Sequence, residues 1–140
     1  MISIERRTDR FRLRMDIVFM GRDLSVCLWG GDAPHIGAVA LAVPRPSLIN
    51  PERISATASV IAVTGHKEDE LARSLSIALA SAAQCVVSAS CGIHLEDARE
   101  KEIGEVLEKV REMIDEAKGA LGSWPEGFPT TSTWSVQDAN

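Results

Sequence analysis

The sequence predicts an α+β protein in which an antiparallel sheet and two helices follow the order β-β-β-β-α-β-α, with the helices packed on the sheet. Apolar and polar residues alternate, or form short β-branched runs, in the first half of the chain, as in strands. Two later segments repeat apolar residues every three to four positions, as in helices. A chain of 140 residues is expected to form one domain, here residues 1–121, followed by a Pro/Ser/Thr-rich tail at 122–140.

The first predicted element is a β-hairpin over residues 11–30. Residues 11–20 alternate between apolar and polar side chains, so one face of this strand is expected to be buried. The Gly-Arg-Asp sequence at 21–23 is typical of a tight turn, and residues 24–30 form the second strand. A third strand of small apolar side chains follows at residues 36–43.

The next predicted elements are a fourth strand and the first helix. Three prolines exclude regular structure from residues 44–53, and small and β-branched residues predict a strand at 54–63. The apolar period then lengthens, which predicts a helix over 67–84 with an acidic first turn, as is favoured at a helix N terminus.

The last predicted elements are a short strand at 85–90 and an amphipathic helix at 97–121. The helix has one apolar stripe and a charged opposite face, and Gly122 marks its end.

Composition and charge narrow the function classes. The net charge of −5 argues against broad binding to nucleic acid or anionic membranes, which requires a basic face. Three cysteines without a CxxC pair argue against a disulfide framework or a cysteine-based zinc site and favour a cytoplasmic protein. No apolar stretch approaches the roughly 20 residues that span a bilayer, and the N terminus has no hydrophobic signal core.

All three histidines lie near a glycine at the end of an apolar run. If neighbouring strands alternate in direction, their three loops share one edge of the sheet. Glycine N–H groups and the start of the first helix suit an anion such as phosphate there, with Lys67, Arg10 and Arg12 as nearby cations. The predicted binding residues are Gly30, Gly31, Asp32, His35, Gly65, His66, Lys67, Gly92 and His94.

Simpler interpretations of these residues remain open. The histidines and Asp32 can be ordinary hydrogen-bonded turn residues, and small strand residues often reflect tight helix-on-sheet packing. Cys91, beside the predicted site, can be a reactive thiol or a small buried residue. A three-histidine metal site is chemically possible, although its ligands have no local motif. Because no GxGxxG or Walker pattern and no defensible nucleophile–histidine spacing is present, no catalytic residue is predicted.

Three separated motifs together resemble a known family. GGDAPHIGAVALA at 30–42, TGHKEDELAR at 64–73 and GIHLEDA at 92–98 resemble segments of the LpdD-type prenylated-flavin (prFMN) chaperones, which are encoded beside decarboxylases of the UbiD group. The resemblance covers roughly residues 11–115. It implies an α+β homodimer, with a fold similar to that of proteasome-assembly chaperones, that binds prenylated FMN and protects it or delivers it to a UbiD-like decarboxylase without catalysis.

This resemblance also gives the predicted edge a ligand. The flavin phosphate would suit the helix start at 65–67, and the ring system would lie against the small side chains of the strands. Two alternatives are a protein-only accessory subunit that docks on a decarboxylase through the Gly/His edge, and a small metal-assisted enzyme that uses His35, His66 and His94.

Overall fold

Two helices cover one face of a six-stranded sheet in the computed structural model, which describes residues 1–63 and 68–122. The strands lie side by side in the order β1-β2-β3-β6-β4-β5. Along the chain the elements are β1 (Ile2–Arg7), β2 (Arg12–Met20), β3 (Asp23–Gly31), β4 (Ala38–Pro46), β5 (Ile54–Ala62), α1 (Asp69–Ala83), β6 (Val87–His94) and α2 (Glu100–Leu121).

The α+β class is confirmed, but the prediction of a purely antiparallel sheet is wrong. β6 lies between β3 and β4, pairing parallel with β3 and antiparallel with β4. The helix α1 carries the chain from the end of β5 back across the sheet, so β6 runs in the same direction as β3. The predicted order also lacks β1, an edge strand that pairs antiparallel with β2.

The hydrophobic core lies between the sheet and the helices. α1 contacts β4, β5 and β6, whereas α2 contacts α1 and β1. The core side chains of β2 and β3 are large, and those of β4 are alanines, all fully buried or nearly so: Leu13, Met15, Ile17, Leu24, Val26, Leu28, Ala38, Ala40 and Ala42. Because α1 covers these alanines, their small size serves tight helix-on-sheet packing. These three alanines are therefore not open to a ring system, and contact of the ring with the other small strand residues stays a prediction.

No described helix covers the opposite face of the sheet. The strand register places Val39 beside Ser90 and Ile61, and Leu41 beside Ser88 and Ser59. Four exposed side chains on this face form what we call the apolar stripe: Val39, Leu41, Val43 and Ile61. The β1–β2 side of the same face is charged instead, with ion pairs that join Glu5, Arg12, Arg14 and Asp16.

Neither helix among the described residues combines the length and the apolarity needed to cross a membrane. The tail predicted at 122–140 lies outside the described residues except for Gly122.

Candidate functional site

Two of the three predicted histidine loops meet at one edge of the sheet. Gly31 pairs with His94 in the β3–β6 register, and the Asp32 N–H donates to the His94 carbonyl oxygen at 2.7 Å. The imidazole rings of His35 and His94 lie edge to face, with their centroids 6.4 Å apart. We call residues 30–37 and 92–96 the histidine edge. The predicted residues Gly65, His66 and Lys67 lie outside the described residues.

His35 connects the β3–β4 loop to the beginning of α1. Its Nδ1 lies 3.0 Å from the Ala33 carbonyl oxygen, which can only accept, so Nδ1 carries the proton in this hydrogen bond. Its Nε2 faces the Glu68 carboxylate at 2.8 Å, and the two side chains are only 21% and 11% exposed. The sequence pattern places Glu68 in an acidic first helical turn and does not predict this contact.

Arg10 connects the histidine edge to α2. Its guanidinium donates to both Asp32 carboxylate oxygens at 3.0 Å, to the Glu102 carboxylate at 2.7 Å and to the Glu96 carbonyl at 2.9 Å. Arg12 is paired with Glu5. Since protein carboxylates neutralise both arginines, the expectation that Arg10 and Arg12 supply positive charge for an anion is wrong.

Asp32 is the carboxylate that Arg10 binds at this edge, and we call the pair the Arg10–Asp32 clamp. Besides the Arg10 guanidinium, it accepts the Glu96 N–H at 2.8 Å. The hydrogen bond from Arg10, followed by the one from the Glu96 backbone, holds the pKa of Asp32 below its usual value. Asp32 therefore joins the β3–β4 and β6–α2 connections and is not confined to its own turn.

Three predicted glycines allow backbone segments to approach closely at this edge. A Cβ on Gly92 would overlap the carbonyl group of His35, and one on Gly31 would overlap that of His94. A Cβ on Gly30 would overlap the carbonyl oxygen of Arg12. The space beside these glycines thus holds protein backbone, and a part for their N–H groups in ligand binding stays a prediction.

A cleft of about 670 Å³ lies between α1 and α2, and we call it the interhelical cleft. Its polar lining includes His94 and Glu68, so it adjoins the histidine edge, and further polar groups come from Glu70, Ser74 and Arg111. Its walls are mainly apolar and include Leu71, Ile93, Ile103, Val106, Leu107 and Val110. Both the volume and this mixture of apolar walls with few polar groups are typical of small-molecule sites.

The cleft does not follow from the sequence pattern, because its α2 wall belongs to the apolar face of the helix that was expected to face the core. On this face of α2, Val106 and Val110 are buried, but Ile103 and Leu107 are 50% and 42% exposed. Periodicity identifies the face of a helix and does not show whether another element covers all of it.

Two further predictions concerned a three-histidine metal site and a reactive thiol at Cys91. Among residues 1–63 and 68–122, no three metal-ligating side chains cluster in a way that could hold an ion. His94 lies 3.2 Å from the Glu96 carboxylate, and His66 of the metal hypothesis is outside the described residues. Cys91 is 1% exposed, and burial raises the pKa of its thiol to about 12, which supports the interpretation as a buried structural residue.

Comparison with protein families identifies a match over most of the chain. The model of a family described as "Prenylated flavin chaperone LpdD-like domain" matches residues 7–122. This range includes the histidine edge and both helices that form the interhelical cleft. A comparison with the curated proteins found no match.

Proposed function

The chain belongs to the prenylated flavin chaperone LpdD-like family, and on this premise we propose that it binds prenylated FMN and protects the cofactor or delivers it to a UbiD-like decarboxylase. The protein is proposed to be non-catalytic. A flavin cofactor brings its own reactivity, so a chaperone has only to hold it and shield it.

The observation that supports this proposal is the union of the interhelical cleft with the histidine edge. The apolar walls, with Ile103 and Leu107 half exposed, suit the apolar part of a prenylated ring system. His94, where the cleft meets the histidine edge, is able to donate a hydrogen bond to a ring oxygen, and His35 lies beside it. Of the remaining predicted binding residues, Gly30, Gly31, Asp32, His35 and Gly92 belong to the adjoining histidine edge, and Gly65, His66 and Lys67 precede α1 in the sequence.

Titration with prenylated FMN, followed by flavin absorbance and fluorescence, tests the proposal. We expect stoichiometric uptake by the wild type, and weaker uptake by His94→Ala and His66→Ala at an unchanged melting temperature. Arg53→Ala, a change at an exposed loop residue remote from the cleft, is the control. Uptake by the wild type no greater than that by an unrelated protein would contradict cofactor binding. Copurification with a decarboxylase in cofactor-free form would favour the accessory-subunit alternative.

The proposed assembly is a homodimer that forms through the helix-free face of the sheet. Leu41 is 49% exposed and Ile61 is 80% exposed, and they belong to one apolar stripe on neighbouring strands. Contiguous apolar surface of this kind marks interaction sites in proteins. A two-fold axis through the face would bury the stripe of one protomer against the stripe of its partner.

A further inference from the structure

Arg111 differs from the arginines that hold the fold together. It lies on α2 and lines the interhelical cleft. Whereas Arg6, Arg10 and Arg14 are bonded to carboxylates, no ion pair or side-chain hydrogen bond joins Arg111 to another residue in the described part of the chain. Arg111 is therefore a cation beside an apolar cleft, and the described residues leave its hydrogen-bonding capacity available.

The two ends of the cleft carry opposite charge. Glu68, Glu70 and His94 lie at the end next to the histidine edge. The first turn of α2 is at this same end, because Glu102 is bonded to Arg10 there. Arg111 lies about 12 Å further along the helix than Ile103, given a rise of 1.5 Å per residue. The half-exposed apolar residues Ile103 and Leu107 lie between the acidic end and Arg111.

We infer that Arg111 binds the phosphate of the flavin mononucleotide, so that the cofactor lies along the cleft with its phosphate away from the histidine edge. This inference rests on the proposed function. A phosphate at the end next to the histidine edge would lie beside the Glu70 carboxylate, whose negative charge repels it. At the other end the planar guanidinium matches two phosphate oxygens at once. The assignment replaces the sequence-based expectation that the phosphate lies at 65–67.

The apolar section between the ends accounts for the rest of the cofactor. The prenylated ring system is planar and largely apolar, and the wall that Ile103 and Leu107 form is apolar surface still in contact with water. When the ring system covers this wall, apolar area of both the protein and the cofactor is removed from water. The polar edge of the ring then faces His94.

The test compares prenylated FMN with the same compound after its phosphate has been removed by a phosphatase. We expect Arg111→Gln to weaken binding of the phosphorylated compound about 10- to 100-fold, the range for loss of charge-assisted hydrogen bonds, and to leave binding of the dephosphorylated compound unchanged. Lys101→Gln, which removes one positive charge from the same helix outside the cleft, should change neither affinity. Fluorescence titration measures each affinity, and each variant should have the same melting temperature as the wild type.

A second variant tests the apolar section. Leu107→Asp should weaken binding of both compounds, because it places a charge against the ring, while Leu48→Asp at an exposed loop position should weaken neither. An Arg111→Gln variant that binds both compounds like the wild type, or loses both equally, would overturn the inference and leave the proposed function standing. Failure of the wild type to bind prenylated FMN at all would reject both.

Discussion

The carbonyl group of His35 fills the space in which a side chain on Gly92 would lie. We therefore expect Gly92→Ala to lower the free energy of unfolding by about 1–3 kcal/mol, because the added Cβ pushes the β3–β4 loop away from β6. Urea denaturation measures the change. Gly104→Ala is the matched control: this exposed position in α2 has open space beside it, and alanine should stabilise the helix by up to about 1 kcal/mol. Equal effects of the two substitutions would contradict the packing described at the histidine edge.

The Arg10–Asp32 clamp predicts a dependence of stability on pH. The pKa of Asp32 is lowered in the folded protein, so the folded state binds fewer protons at acidic pH than the unfolded state. The stabilisation that ionised Asp32 gives the folded state is therefore complete above its ordinary pKa of 3.8. It is lost as the pH falls through the lower pKa that Asp32 has in the folded state.

Thermal unfolding from neutral pH down to acid tests this sign. The gap in melting temperature between the wild type and Asp32→Asn should be widest near neutral pH and should close below about pH 3.8. Asp115→Asn, at an exposed position of α2, serves as the control and should show no such gap. A gap that widened towards acid would refute the assignment.

The three cysteines should differ sharply in reactivity. Burial raises the pKa of Cys91 to about 12 and that of Cys85 to about 11, whereas Cys27 is exposed on β3, outside the apolar stripe. Since the thiolate is the reacting form, we expect a disulfide reagent at neutral pH to label Cys27 first and to leave Cys91 unlabelled in the native protein. Peptide mass spectrometry identifies the labelled position, and labelling in urea shows that all three thiols are present. Rapid native labelling of Cys91 would revive its interpretation as a reactive thiol.

The apolar stripe predicts the effect of a charge on assembly. Leu41→Glu places a carboxylate in the centre of the proposed dimer interface, where it would be buried without a partner, so the variant should be monomeric. Size-exclusion chromatography with light scattering gives the mass. Ile49→Glu introduces the same charge at a loop residue that is 97% exposed and should leave the mass unchanged. A wild type that is monomeric at high concentration would reject the homodimer itself.

Local sequence patterns predicted most elements but not how the strands pair. In β2, alternation identified Leu13, Met15 and Ile17 as the buried face, and all three are fully buried. β1 was not predicted because it has one buried residue, Ile4, and so lacks a clear alternating pattern. It forms a strand through its pairing with β2. Alternation reports which face of a strand is buried and carries no information about its neighbours. The insertion of β6 between β3 and β4 was therefore not predictable in this way.

The sequence predicted which loops share an edge of the sheet, but it did not predict the side-chain contacts of the candidate site. Strand directions alone brought His35 and His94 to one edge, since each lies at a strand end whose orientation follows from the connections. The contacts of Glu68 and Arg10 were not predictable, because they join side chains of segments far apart in sequence. The cleft beside Arg111 was not predictable for a similar reason, since it forms between two helices that are separated in the chain.

The position of β6 has a consequence for how the chain acquires its structure during synthesis. The meander β1–β3 and the hairpin β4–β5 share no hydrogen-bonded strand pair, because β6 alone lies between them. Residues 1–63 thus leave the ribosome as two pieces with unsatisfied strand edges, which are prone to pairing with other chains. Completion of the sheet awaits the arrival of His94, so a nascent chain that stalls before this point would depend on general folding factors to remain unaggregated.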